Sequence, residues 1–535
     1  MGKGFYIALA VFLLLLLLPF YFYEREGDGS LDLLPGGDAV DTLVIIASHP
    51  RQVKWEFERA FRDYYRAKHG REVRIDWRDV GGTSDAANYI DSRFASEFRN
   101  YYDANYPGEW SAAAAAGFND AAYDDVPGGT AEAQARRRFL ASDVSIGIDL
   151  LWGGGTYEHE RNARRGYAVD GGVAKRHPEY FVDSVIPEFF TGETLYDAGG
   201  RFYGGCLSSM GICCNPERYA ELGLPLPVRW SDLGRPELYG YVAVGDPSKT
   251  GSVAKCFELI IQQEMQEARR RGEDDDAGWR NALTLLKRII GNSYIVTDAA
   301  GKIPREVSSG SGAAGVCIDF YGFLEAEWSE SRSGGKERIR YVMPENGSTI
   351  SPDQIQLLRG APNRHVAEEF LDFLLSYDAQ KLWSYKAGTP GGPERYTLRR
   401  PPIRRDLYTP DSVCYMPDPD YNPYESELIY QPELTGRYFS LIRTLIKCVM
   451  VDTVDDLRGA WGAIIAAGGP DAVPEAYAAF TELPFDYREA SRMAELLTAN
   501  GDEWDMYDVI RLRAGWTESA RNSYRRAIEL AGEGR

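Results

Sequence analysis

The stretch GDPSKTGSVAK, residues 245–255, gathers small hydroxyls, glycine and lysine just ahead of an apolar run. Two kinds of chemistry use such residues. One is a nucleotide-binding loop, G-x-x-x-x-G-K-[ST], whose lysine follows the second glycine and reaches the terminal phosphates. Here Gly251 is followed by Ser252, Lys249 lies on the wrong side and Lys255 falls a turn into the coming helix. The loop therefore lacks the lysine that nucleotide hydrolysis needs. The other is a passive anion cradle. Ser248, Thr250 and Ser252 precede a helix expected to start near Val253, whose free N–H groups and positive dipole end favour an anion without any catalytic group. Plain N-capping explains one of the three hydroxyls equally well, so both readings stand at this point.

These residues need elements to position them. TLVIIASH (42–49) reads as a buried parallel strand. Val53, Phe57, Ala60, Phe61 and Tyr64 then repeat at helical spacing. EVRIDW alternates as a strand does, and VGGTSDAANYIDSRFASEF turns into a second helix with Thr83 or Ser84 as its cap. SDVSIGIDLLWGGGT is a further strand that breaks into glycines. The pattern β-α-β-α-β predicts a parallel α/β layer. Its strand-end loops carry Ser48 and His49, Gly82 to Asp85, and Trp152 to Thr156, at the edge where open α/β sheets bind ligands. FYGGCLSSMGICC (202–214) is a strand long enough to cross between lobes, and NRHVAEEFLDFLLSYDAQKLWSY predicts an amphipathic helix pair. From about 401 the chain is Pro- and Tyr-rich, then helical. The basic run RRPPIRRD reads as a solvated surface segment.

At 535 residues the chain exceeds what one hydrophobic core serves. A formal net charge of -20 argues against binding nucleic acid. Residues 5–23 are an uncharged apolar run preceded by Lys3 and followed by acidic residues. With no small-x-small cleavage site, residues 1–25 are expected to form a signal-anchor rather than a cleaved signal peptide, with the body outside the cytoplasm and 26–40 as linker. The seven cysteines have no metal-type spacing and read mostly as buried thiols, a Cys414–Cys448 bridge being left open. No Ser-His-Asp spacing and no H-E-x-x-H pattern is found, and five histidines leave few acid–base options, so the chain is not expected to be an enzyme.

Several blocks together, in order from about 41 to 405, carry a family resemblance. They are FERAFRDYYRAKHGREVRIDWRDVGGTSD, IDLLWGGGTYEH, YGGCLSSMGICCNPERYAELGLP, GDPSKTGSVAKCFELIIQQEM, GVCIDFYG and LLRGAPNRHVAEEFLDFLLSYDAQKLWSYKAGTPGGPERYTLRR. The chain resembles the extracellular solute-binding proteins of ABC importers, in the type 2 periplasmic-binding-protein fold and the branch that takes ferric iron, phosphosugars or phosphonates. The resemblance implies two Rossmann-like α/β lobes with a ligand cleft between them. Lobe 1 would hold 41–206 and 345–390, lobe 2 would hold 212–340, and 391–535 would be a Pro/Tyr-rich segment and helical C-terminal extension. It places the anion loop on Thr250, Gly251 and Ser252, the first-lobe loops on His49, Thr83, Ser84 and Gly154, and the crossing strand on Ser208 and Ser209. Asp298, in VTDAAGK, is a further candidate, with N-capping as its plain alternative. Ferric-binding relatives have two adjacent tyrosines where this chain has Phe320 and Tyr321, so one is missing. Asp319, Tyr321 and His49 remain as candidate metal ligands, phenolate and carboxylate being the hard donors that ferric iron prefers. The implied role is a periplasmic binding subunit, tethered to the inner membrane by residues 5–23. It would be a monomer, with ABC permease and ATPase subunits as partners, no required cofactor, and Fe3+ or a small organophosphate anion as transported ligand. A ligand-sensing receptor subunit and an enzyme on the same scaffold are the alternatives.

Overall fold

The computed structural model describes residues 40–419, 421–425, 428–498 and 505–533. The apolar run 5–23 lies outside them, as does the expected linker up to residue 39. Among the described residues no helix is long and apolar enough to cross a membrane.

The chain is mixed α/β around one central sheet. Its strands are β1 (Asp41–Ala47), β2 (Val73–Arg78), β3 (Leu150–Trp152), β4 (Ala168–Val169), β5 (Phe189–Phe190), β6 (Glu193–Thr194), β7 (Tyr203–Cys214), β8 (Val242–Gly245), β9 (Ser293–Thr297), β10 (Ala314–Ile318), β11 (Arg340–Val342) and β12 (Ile350–Leu358). The sheet runs β2-β1-β3-β12-β7-β10-β8-β9, with β4 beside β12, β11 beside β7, and β5–β6 as a separate hairpin. β1 pairs in parallel with β2 and β3, as the sequence pattern predicts. β8 pairs in parallel with β9 and β10. Between these two parallel sets run the antiparallel strands β12 and β7.

The strand β7 changes partner along its length. Residues 203–209 pair with β12, and Met210 to Cys214 pair with β10. All twelve of its residues are buried, which is why FYGGCLSSMGICC shows no polar alternation. β1 is also covered on both faces. Leu43, Ile45 and Ala47 join a core with Phe57, Phe61, Trp152 and Trp383, while Val44 and Ile46 join a second core with Ile90, Phe94 and Phe98.

The helices Phe439–Ile446, Val454–Ala466, Pro474–Thr481 and Met506–Glu533 share one continuous core with β8, β10 and the helices Gly251–Arg270 and Asp275–Gly291. Lys287, fully buried, donates to the carbonyls of Phe480 at 2.8 Å and Glu482 at 2.6 Å. Trp461 Nε1 donates to Asn292 at 2.7 Å. The segment before these helices packs elsewhere: Leu398 and Ile403 lie in the core under β1 and β3. The basic run is therefore not a solvated segment. Arg400 is 1% exposed and Arg404 is 6% exposed, and Arg404 donates to the Leu375 carbonyl and to Asp406. The seven cysteines are all free thiols: Cys414 is exposed, Cys448 is buried, and no bridge joins them.

Candidate ligand-binding cleft

A cavity of about 960 Å3 opens where β1, β3, β7, β8 and β10 end or cross. Three helices point their N-termini into it. The first is Thr83–Asn105, whose N-cap is Gly82, with the Asp85 carboxylate accepting the Gly82 N–H at 3.0 Å. The second is Thr156–Arg165, capped by Gly155. The third is Gly251–Arg270, whose N-cap Thr250 accepts the Val253 N–H through Oγ1 at 3.1 Å. In each helix the first-turn amides have no partner within the helix. Thr83, Gly154, Gly155, Thr156, Gly251 and Ser252 all line the cavity. The loops meet closely. A Cβ on Gly251 would stand 3.7 Å from Thr83, and one on Gly82 would stand 3.0 Å from the Lys249 carbonyl. Gly154 has a φ of +99°, and a Cβ there would meet the Thr83 methyl at 2.4 Å, so only glycine fits.

A buried charged group forms the floor. Arg400 donates to Asp353 at 2.5 Å and to Ser208 Oγ at 2.6 Å, and its guanidinium lies over Phe320 at 4.4 Å. Asp353 also accepts the Gly154 N–H at 2.8 Å. Burial pushes the Asp353 carboxyl up, but Arg400 and His49 outweigh it and hold the group below the usual range. His49 is 6% exposed, with Nδ1 3.7 Å from Asp353 and its ring 4.5 Å from Trp152. Its Nε2 is buried without a hydrogen-bond partner. Burial lowers His49 to about 4, so it is neutral at pH 7.

The far wall holds one buried ammonium between two carboxylates. Lys255 lies 2.7 Å from Glu193 and 3.1 Å from Glu258, and sits 3.8 Å above the Tyr430 ring. Tyr430 and Thr435 donate to Glu258 at 2.6 and 2.7 Å. Burial lowers Lys255, but the two carboxylates raise it well above its ordinary value, so it stays charged.

Of the residues expected at the site, His49, Thr83, Gly154, Ser208, Thr250, Gly251, Ser252, Asp298 and Tyr321 line this cavity. Asp298 does so at an exposed rim, paired with Lys302 at 2.6 Å, and is not the cap of the helix Lys302–Ser308, which is Gly301. Three others do not line it. Ser84 neither caps its helix nor faces the cavity; its hydroxyl accepts from Arg443. Ser209 sits next to Ser208 on β7 and so faces the other way, toward Asp319 and Tyr341. Asp319 is fully buried and turns back to accept the N–H groups of Ser209 at 2.8 Å and Phe320 at 2.7 Å. Burial raises it to about 6, despite Arg400 nearby. The metal candidates His49, Asp319 and Tyr321 are thus not a set, because the aspartate is committed to backbone amides. The histidine–carboxylate cluster that does form among the described residues is His69, His365 and Glu369, outside the cavity, with the Lys68 ammonium 2.7 Å from the same Glu369 carboxylate.

Sequence reasoning missed Asp353, Arg400, Glu193, Lys255, Glu258 and Tyr430. Only the arginine had a visible signal, a basic residue beside prolines in an otherwise acidic chain.

The stretch that carries β7, the 250–252 loop, β12 and Arg400 is also the one that known proteins share. Residues 167–401 match the family of bacterial extracellular solute-binding proteins. Within the matched residues lie Ser208, the 249–252 loop and the buried Asp353–Arg400 pair of the cavity. A protein of Haemophilus influenzae described as uncharacterized is 26% identical over 239 residues, 44% of this chain and 61% of that protein. The phosphoglycerate transport regulatory protein PgtC of Salmonella typhimurium is 23% identical over 286 residues, 52% of this chain and 62% of that protein. The chain thus spans about three-fifths of the length of these curated relatives. The solved structure of the periplasmic binding protein AfuA of Actinobacillus pleuropneumoniae, with fructose-6-phosphate bound, is 17% identical and covers 64% of this chain and 81% of that one, with a TM-score of 0.42.

Proposed function

We propose that the protein is an extracytoplasmic solute-binding subunit that captures a small phosphate-bearing anion between two lobes and hands it to an ABC permease. One observation carries this reading: three helix N-termini and the unpartnered, buried Nε2 of His49 converge on one cavity. Oriented amides and dipole ends favour an anion at that place, while Asp353 and Arg400 neutralise each other and Lys255 offsets one of the two carboxylates Glu193 and Glu258. The two lobes would be the parallel sets on either side of β7 and β12, 41–206 with 345–390 and 212–340, closing on the solute by hinge motion. The likeness to the phosphoglycerate transport regulatory protein PgtC supports a phosphate ester as the class, and the extracellular family description supports the location. Tethering by residues 5–23 belongs to the same reading. Ferric iron is disfavoured because Asp319 is used by the backbone and Phe320 stands where a second phenolate is needed.

The test is calorimetry and thermal shift on the 31–535 fragment with inorganic phosphate, 3-phosphoglycerate, fructose 6-phosphate and ferric citrate. A phosphate compound should raise the melting midpoint by mass action and be recovered unchanged. Binding of ferric citrate alone with a visible charge-transfer band, or turnover of the bound compound, would overturn the reading.

A further inference from the structure

The cavity is larger than its anion end requires. About 960 Å3 lies at the top of the range of roughly 300–1,000 Å3 common for small-molecule sites. Part of the wall comes from beyond residue 401, where the family match stops: Tyr430, Pro432, Glu433, Gly436, Arg437 and Phe439 line it.

We propose that the C-terminal extension builds a second compartment of the binding site, which recognises a polyhydroxylated ring attached to the phosphate-bearing part, so that the cargo is a phosphorylated carbohydrate of more than one ring. This rests on the anion reading above and adds the distal part. The chemistry of the wall suits such a group. Phe439 and Tyr157 lie 5.1 Å apart at a tilt, one from each side of the cleft, and offer aromatic faces to the C–H face of a sugar. The carboxylates of Glu193 and Glu433 accept from hydroxyls, and Arg437 and Lys255 donate to them. The wall is fixed to the rest of the cleft through Arg443, one turn after Phe439. Arg443 donates to the carbonyls of Pro247 at 2.9 Å and Ser248 at 3.0 Å on one side, and contacts Ser84 and, at 3.5 Å, Glu158 on the other. Arg443 thus ties the distal compartment to both rims of the anion end.

The experiment compares inorganic phosphate, glucose 6-phosphate, trehalose 6-phosphate and trehalose on the wild-type chain and on two variants, by calorimetry. One variant is Glu433→Ala with Arg437→Ala, both exposed positions; the other is Phe439→Ala, expected to lower the affinity for trehalose 6-phosphate more than that for glucose 6-phosphate; each is accepted only with an unchanged circular dichroism spectrum. Trehalose 6-phosphate should bind at least tenfold more tightly than glucose 6-phosphate. The Glu433→Ala/Arg437→Ala variant should erase that advantage and leave the affinity for glucose 6-phosphate within twofold. Equal affinity for the two esters, or a variant that weakens both alike, overturns the second compartment while the anion reading survives. Trehalose binding as tightly as trehalose 6-phosphate overturns the anion reading and, with it, the phosphorylated cargo. No binding by any of the four overturns both.

Discussion

His49, which lines the cleft, and His159, on the helix Thr156–Arg165, are both buried, and burial lowers each to about 4 from an ordinary 6.5. The unfolded chain therefore binds up to two more protons than the native one as pH falls from 6.5 toward 4, and stability falls with it. Asp319 acts in the opposite sense. Raised by burial to about 6, it takes up a proton in the native state that the unfolded side chain accepts only near 3.8. Between pH 6.5 and 4 each histidine by itself accounts for a loss of about 3 kcal/mol. Chemical denaturation followed at several pH values should show it, and His49→Gln should remove close to half of the histidine share. An acid-side loss in His49→Gln as large as that of the wild type would contradict the protonation state of His49.

The helix Gly251–Arg270 separates two jobs that its N-terminal hydroxyls share. Thr250 caps the helix, so its side chain is spent on the Val253 amide. Ser252 sits one residue inside the first turn and faces the cavity, 3.5 Å from Thr250 Oγ1. Thr250→Ala should cost about 1 kcal/mol of stability and weaken ligand binding through a frayed helix start. Ser252→Ala should leave the denaturation midpoint unchanged and weaken binding of the phosphate compound several-fold. Paired denaturation and calorimetry on both variants check this; unchanged affinity in Ser252→Ala would remove that hydroxyl from the site.

For the whole molecule, the extension is part of a core and not an appendage. Leu441, Ile442, Leu445, Ile446 and Trp461 lie in the same cluster as Trp279, Leu283 and Leu286, all buried. Each large apolar side chain contributes roughly 1.5–3 kcal/mol by leaving water, so these five from the extension together are comparable to a domain's net stability of about 5–15 kcal/mol. A chain ending at residue 405 should therefore be insoluble or lack a cooperative transition, read by size exclusion and thermal melting. A monodisperse, cooperatively melting truncation would show that the remaining core folds alone.

The sequence by itself determined the main helices and the parallel pairing of β1 with β2 and β3. Unbroken apolar runs such as TLVIIASH report burial on both faces, glycines mark strand-end loops, and the 3.6-residue pattern marks Arg51–His69 as a helix. These signals are local, so they also placed Thr83, Gly154 and Thr250 to Ser252 on loops at one sheet edge. Only the tertiary structure decided which side chains face the cavity. Ser208 and Ser209 are neighbours of the same type, and the direction of β7 sends one in and the other out. Asp319 belongs to the right strand end, yet two backbone amides claim its carboxylate. The pairing of Asp353 with Arg400, and of Lys255 with Glu193, joins residues 47 and 62 positions apart in the chain. No local pattern encodes such pairs, because what makes a buried charge tolerable is the partner that folding brings to it. The same holds for the Arg443 contacts across the cleft and for the aromatic wall that the extension adds.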